Sequence, residues 1–456
     1  MTALHALNAG LKRLNLGEQL VRRNPLYYGP AHRQFAALQS ADLDERASWS
    51  QKRLRTVLNV AARTAYGRSV GGSDELARWP LLSKDSVRSN PQSFHSGHRW
   101  FRARADTGGS TGVPLKLVRS PESVTVEQVC LDGVMRDLRI DPRNARIAVL
   151  RADSIKDASD TKPPFWIFAL GGRRLILSSN HLSCATLPDY IAAIRRFEPD
   201  LLWVYPTALE SLCRLLQRTG EQLRVPRVLS SSEMLQPEVW RLAQSLLGCE
   251  IADRYGQAER VAVAHALAPH AYRFAPGYAC VELIAQSGDD ATRCYEIVGT
   301  SLWNTAMPLV RYRTGDLICL PRDYGARELQ EVVLGTRSFD GVIGRAHDVL
   351  IAADGEGVLT GVNHLPRNVE HLMRLQVVQE ALDRVLLRVL PSAEFSEADA
   401  AQLMCNARLK IPASIDVRIQ VVSALQRTHR GKTPFVVHAP PVREALLRIG
   451  FQVAAL

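Results

Sequence analysis

The chain has 456 residues, more than one ordinary hydrophobic core takes up, and a prior of roughly 150 residues per domain gives two to four units. Its hydrophobic content of 46%, charged content of 23% and mean hydropathy of -0.09 exclude collagen-like, fibrous and disordered classes. No run approaches the ~18 apolar residues of a membrane span, and the opening MTALHALNAGLKRLNLGEQL lacks a signal-peptide layout, so a cytoplasmic protein without a membrane span is expected. The net charge of +11 raises the question of nucleic acid, yet eight lysines and 49 arginines are scattered rather than gathered in a basic stripe, and no nucleic-acid partner is expected.

The first hundred residues read as helices separated by turns. Asp42 to Ala65 carries apolar positions at helical spacing, and Gly67, Gly71 and Gly72 follow in a loop. From about Phe101 the texture changes. Short β-branched or aromatic runs (ARIAVLRA, RRLILSS, DLLWVYP, RVPRVLSSS, CEIADRYG) alternate with helical stretches, which implies an α/β body. Strand-rich runs follow, YACVELIAQ, CYEIVGTSLW and LVRYRTGDLICL, before a tight group at Gly344, Arg345 and Asp348. The end of the chain reads as strand (VVQEALDRVLLRVL), helix (SEADAAQLMCNARLKI) and strand (SIDVRIQVVSAL), a small α+β module. The expected division is a helical region over 1–100, a body over 101–343, a hinge over 344–349 and a small domain over 350–456. The eight cysteines show no CxxC pair, so neither a zinc knuckle nor a disulfide framework is expected; they read as small apolar core residues of a reduced compartment.

Three glycines and three hydroxyl residues crowd into Thr107-Gly108-Gly109-Ser110-Thr111-Gly112. Glycines let backbone N–H groups turn toward an anion, and hydroxyls donate to its oxygens, so the loop suits phosphate. The terminal Gly431-Lys432-Thr433 is not a Walker A ending, because the first glycine would fall at Gln426. Downstream of the loop, further signatures follow in order: Ser231-Ser232-Glu233-Met234, Tyr255-Gly256-Gln257-Ala258-Glu259, Tyr312-Arg313-Thr314-Gly315-Asp316-Leu317, Gly344-Arg345-Ala346-His347-Asp348 and Gly431-Lys432.

This series resembles the adenylate-forming superfamily of acyl-CoA synthetases, adenylation domains and luciferases. Within it the likeness is to the phenylacetate-CoA ligase-like branch, which includes adenylating proteins of polysaccharide and secondary-metabolite clusters; it spans about Pro80 to His438. The resemblance implies a large α/β body that binds ATP and an acid, and a small mobile domain that carries a catalytic lysine. Thr107 to Gly112 would hold the β- and γ-phosphates, Glu259 would ligate magnesium, and Tyr255 would stack on adenine. Ser231, Ser232 and Glu233 would line the purine pocket, and Asp316 would accept from the ribose hydroxyls. Arg345 would reach the ribose or phosphate from the hinge, with His347 and Asp348 beside it. Lys432 would bridge the carboxylate and the α-phosphate during attack.

By the same resemblance, a small-molecule carboxylic acid reacts with ATP and Mg2+ to give an acyl-adenylate and pyrophosphate. The acyl group then passes to coenzyme A or to the phosphopantetheine thiol of an acyl carrier protein. Trp203, Tyr205, Ala208 and Gly256 are the candidates for the acid pocket, and their aromatic character suits an aryl acid. Two other readings stay open: adenylyl transfer onto a hydroxyl, and a degenerate ATP-binding protein. Three departures from the family pattern bear on this. Val113 and Leu115 stand where the phosphate loop often has lysines, Ala258 replaces a hydroxyl residue, and His347 replaces the usual Asp or Lys. The first hundred residues carry no identifiable chemistry, and packing or homodimer formation is the expectation for them.

Overall fold

The computed structural model describes residues 21–97, 103–106, 115–151, 155, 162–179, 181–288, 291–342, 344–345, 350–351, 353, 358–359, 362, 365–366, 369–408, 411–427 and 433–448. Two helices, α1 (Pro25–Ser40) and α2 (Leu43–Ala62), open the described chain. Asp42 starts α2 with a capping box: its carboxylate accepts from the Glu45 N–H, and Glu45 accepts from the Asp42 N–H. The short helices α3 (Ala65–Ser69) and α4 (Lys84–Ser89) are begun by Thr64 and Ser83, whose hydroxyls accept from the Gly67 and Ser86 N–H groups. Between them Leu82 makes a parallel backbone bridge to Tyr312, with Leu82 N–H donating to Arg311 and Arg313 N–H donating to Leu82, both at 2.9 Å.

A hairpin of β1 (Ala103–Asp106) and β2 (Lys116–Arg119) flanks the glycine loop, which itself lies outside the described residues. Helix α5 (Pro121–Asp137) follows, begun by Ser120 and Pro121. Next come β3 (Ile147–Arg151), β4 (Trp166–Ala169), β5 (Arg174–Ser178), α6 (Leu187–Phe197), β6 (Leu201–Val204), α7 (Pro206–Thr219), β7 (Arg227–Ser231), α8 (Pro237–Leu247), β8 (Glu250–Gly256), β9 (Val263–Ala266) and β10 (Arg273–Phe274). The strands form one sheet in the order β10-β9-β8-β7-β6-β3-β5-β4. Its five central strands, β8 to β5, run parallel. Covered on both faces, they read as near-continuous apolar runs, which is why they were legible. On one face Ala148, Leu150, Leu202, Val204, Val228 and Ile251 pack with residues of α6, α7 and α8. On the other, Val149, Leu201, Leu229 and Ala252 pack under Val134 and Met135 of α5. Helices α7 and α8 open on proline and close on Gly220 and Gly248, both at positive φ.

A second sheet is built from β11 (Ala279–Gly288), β12 (Thr292–Ser301), β13 (Tyr312–Pro321) and β14 (Gly344–Arg345), with helix α9 (Ala326–Val333) between the last two. Cys294 and Cys319 are direct antiparallel partners in β12 and β13 and form a disulfide. This corrects the expectation that all eight cysteines are free; strand register, which spacing does not reveal, sets the two opposite each other. His265 faces Asp137 at 3.3 Å.

After the small pair β15 (Leu350–Ile351) and β16 (Val358–Leu359), the C-terminal unit has a four-stranded sheet with its own core. The run expected as one strand is a hairpin, β17 (Leu372–Ala381) and β18 (Arg384–Pro391), turning at Leu382 and Asp383. Helix α10 (Glu397–Arg408), β19 (Asp416–Val421), β20 (Val436–His438) and α11 (Pro440–Arg448) complete it, with β19 and β20 parallel to their neighbours. Among the described residues no helix is long and apolar enough to cross a membrane.

Candidate active site

The parallel strands β3, β6, β7 and β8 end at Arg151, Val204, Ser231 and Gly256, so their carboxyl ends form one edge of the sheet, where open α/β sheets bind ligands. Tyr255, on β8, donates from its hydroxyl to Asp316 Oδ2 at 2.7 Å, and Gln257 Nε2 donates to the same hydroxyl at 3.3 Å. Asp316 is 8% exposed and sits on β13, whose N-terminal half carries Tyr312 and Arg313. The residues expected at adenine and ribose therefore share a hydrogen bond. Arg345 pairs in backbone register with Asp316, which brings the start of the expected hinge against the ribose candidate.

Glu259 lies just beyond β8 and is 7% exposed. Its Oε1 accepts from the Tyr312 hydroxyl at 2.9 Å and lies 3.5 Å from Lys84 Nζ. Burial, and next the charge of Glu259, push the Tyr312 phenol well above its ordinary range, so it stays a neutral donor. Lys84 was not found from the sequence. It is carried on α4, which the Leu82 bridge ties to β13, and no local motif marks it. It places one residue of the first hundred beside the expected magnesium ligand.

The segment from Tyr255 to Arg260 is held by a charged cluster beneath it. Arg260 has φ +58°, the left-handed region that a non-glycine residue occupies only when its surroundings enforce it. Its Nη1 donates to the Ser123 carbonyl at 2.6 Å, and its Nε lies 3.7 Å from Glu127 Oε2. Glu127 also accepts from Arg254 at 2.7 Å and from the Tyr278 hydroxyl at 2.5 Å. Burial raises the Glu127 pKa, but Arg254 and Arg260 outweigh it and hold the carboxyl at about 2. Arg119 donates to the Ala258 carbonyl at 2.7 Å, and burial together with the Arg260 charge lowers its pKa to about 10. Two departures from the family pattern meet here: Leu115 is fully buried in an apolar cluster with Leu82, Val87, Phe94 and Tyr312, and Ala258 packs against that cluster.

On the α5 side of the sheet edge, the Trp203 indole N–H donates to Ser231 Oγ at 3.0 Å. Arg151 lies over the rings of Trp203 and Tyr205, at 4.9 and 4.8 Å from their centroids, and donates to the Tyr205 hydroxyl at 3.1 Å. Ser231 is buried, whereas Ser232, at φ +76°, and Glu233 are exposed. Ala208 is 7% exposed within the main core. A Cβ on Gly256 would come within 3.3 Å of Arg254 Nη1 and Val263 Cγ2, so the backbone is closely approached there. Thr107 to Gly112, His347, Asp348 and Lys432, and the side chain of Arg345, lie outside the described residues.

Comparison with known proteins finds similarity along most of the chain. A family model described as AMP-binding enzyme matches residues 107–318, and one described as CapK C-terminal domain matches residues 350–439. The chain is similar to Protein CapK of Staphylococcus aureus, 21% identical over 376 residues that span 79% of each protein. It is also similar to a phenylacetate-coenzyme A ligase of Pseudomonas putida, 24% identical over 383 residues, covering 80% of this chain and 76% of that one. Its fold is similar to that of a 2-hydroxyisobutyryl-CoA ligase solved in the postadenylation state with 2-HIB-AMP, with a TM-score of 0.59, 14% identity, and coverage of 87% of this chain and 90% of that chain.

Proposed function

We propose that the chain, whose residues 107–318 match the AMP-binding enzyme model and which is similar to phenylacetate-coenzyme A ligases, is an acid–thiol ligase that activates an aryl acid as the acyl-adenylate, releases pyrophosphate and passes the acyl group to coenzyme A or a carrier-protein phosphopantetheine. One observation carries the reading: the Tyr255–Asp316 hydrogen bond adjoins the buried Glu259, and all three meet at the carboxyl edge of the parallel strands.

Adenylation brings a carboxylate onto an α-phosphate, so two anions must approach one another and the site must absorb their charge. The Asp316 carboxylate accepts from the ribose hydroxyls while Tyr255 fixes its orientation and offers its ring to adenine. Glu259 suits magnesium, since among the described residues no hydrogen bond reaches its Oε2, which is left as a hard oxygen donor. What magnesium supplies when bound is neutralisation of phosphate oxygens. Lys84 and Tyr312 hold Glu259 in place, and the glycine loop over Thr107 to Gly112 cradles the outer phosphates. Lys432, brought in by the small domain, stabilises the charge that develops during attack, and rotation about the segment from Arg345 to Asp348 then admits the thiol.

The test is acid-dependent ATP–pyrophosphate exchange, which needs no thiol. Exchange with an aryl acid, absent in Lys432→Ala, is the expected result. Nucleotide binding with no exchange for any acid would overturn the proposal in favour of a non-catalytic nucleotide-binding protein.

A further inference from the structure

Arg151 is the last residue of β3 and half-buried at the sheet edge beside Trp203 and Tyr205. Several arginines of the two sheets and their connections have carboxylate partners: Arg254 has Glu127, Arg146 has Glu198, Arg311 has Glu282 and Arg313 has Glu296. Among the described residues, Arg151 has none. Its partners are the faces of two rings and one phenol oxygen.

Those partners still leave it ready for an anion. Stacking on Trp203 and Tyr205 restrains the guanidinium plane and leaves most of its N–H rim unused, the fork geometry that matches a carboxylate. The Tyr205 hydroxyl accepts from Arg151, so its own hydrogen remains available to donate to the same anion. The Trp203 ring is fixed in turn by its bond to Ser231. A half-buried cation with this arrangement, and no carboxylate partner among the described residues, suits an anionic ligand.

We propose that Arg151 and Tyr205 together receive a second carboxylate of the acid, so that the substrate is a dicarboxylic acid whose far end docks at β3 and β6. The inference rests on the carboxylate-activating reading above and narrows its substrate class. The reacting carboxylate must meet the α-phosphate on the β8 side, where Tyr255 and Glu259 lie. The guanidinium sits over β6, two strands from β8, a separation of about 10 Å at sheet spacing. A benzene ring with carboxyl groups at opposite ends, or a saturated chain of similar length, spans that gap once hydrogen-bond lengths are added at each end.

The experiment compares benzoate with terephthalate, and phenylacetate with 4-carboxyphenylacetate, on the full chain and on Arg151→Gln. Pyrophosphate exchange should favour each dicarboxylate over its monoacid by about tenfold or more in kcat/KM, the range expected of a charge-assisted contact, and Arg151→Gln should abolish or reverse that ratio. Calorimetric binding of terephthalate and benzoate is measured on the same two proteins without turnover. Tighter terephthalate binding that disappears in Arg151→Gln upholds the inference even where exchange fails, and in that case the ligase reading alone falls. Equal binding of mono- and dicarboxylate, or an Arg151→Gln variant that weakens both alike while keeping its thermal midpoint, overturns it.

Discussion

The hydroxyl of Tyr255 and the carboxylate of Asp316, 61 residues apart in sequence, meet at 2.7 Å and join the eight-stranded sheet to the antiparallel one at the candidate nucleotide site. Each side chain restrains the other before any ligand arrives. Tyr255→Phe keeps the ring and removes the hydroxyl that bonds Asp316 and Gln257, and the affinity for ATP is expected to fall by roughly three- to tenfold. Asp316→Ala removes the proposed ribose acceptor and should weaken ATP more strongly. Titration calorimetry with ATP ranks the two variants, and equal affinities in all three proteins would remove the ribose assignment.

Lys84 is 3.5 Å from Glu259, and Tyr312 donates to the same oxygen. Lys84→Met should lower adenylation by about tenfold or more, because the carboxylate loses its nearest cation and a fixed position. Tyr312→Phe should do less. A double-mutant cycle of Lys84→Met with Glu259→Gln, read by single-turnover adenylation, is expected to show coupling of about 1 kcal/mol or more. Strict additivity would mean that Lys84 acts elsewhere.

Lys432→Ala should reduce adenylation by about a hundredfold or more, the usual cost of deleting one preorganised charge-stabilising donor. ATP affinity should change little. A parallel loss of ATP binding and rate would instead make this lysine a ground-state contact.

The cluster around Glu127 gives a pH dependence with a definite sign. Its folded pKa, about 2, is below that of the unfolded chain, so its contribution is complete above about pH 4.5 and fades as pH falls toward 2. With 26% of its side-chain surface accessible, that contribution is discounted to roughly 2 to 3 kcal/mol. Glu127→Gln should lower the thermal midpoint at pH 7 and flatten its decline in acid, because Arg254 and Arg260 then lack a counter-charge. Identical acid profiles for the variant and the parent chain would contradict this.

Much of the architecture was readable because parallel strands buried on both faces must be apolar throughout, as in IAVLR and LLWV, and helices such as α7 and α8 are punctuated by proline and glycine. The β17–β18 hairpin reads as one strand because its turn at Leu382 and Asp383 carries a single turn-forming residue, Asp383, with no glycine or proline beside it. The Cys294–Cys319 pair depends on register, which one strand's sequence does not set alone. In the site, Tyr255, Asp316 and Glu259 were legible as motifs. Lys84 and Arg151 were not, since an ordinary charged residue becomes informative only when folding reveals which partners it has and which it lacks.

The backbone bridge between Leu82 and the Arg311–Arg313 segment carries a consequence for how the chain is made. A ribosome that releases the N-terminal helices first must translate the whole stretch from Leu82 to Arg313 before the bridge can close, roughly 10 to 50 s at ordinary elongation rates. During that interval Lys84 has no Glu259 to meet and the apolar cluster around Leu82 has no Tyr312. The contacts around Lys84 and Leu82 can therefore close only once β13 has emerged.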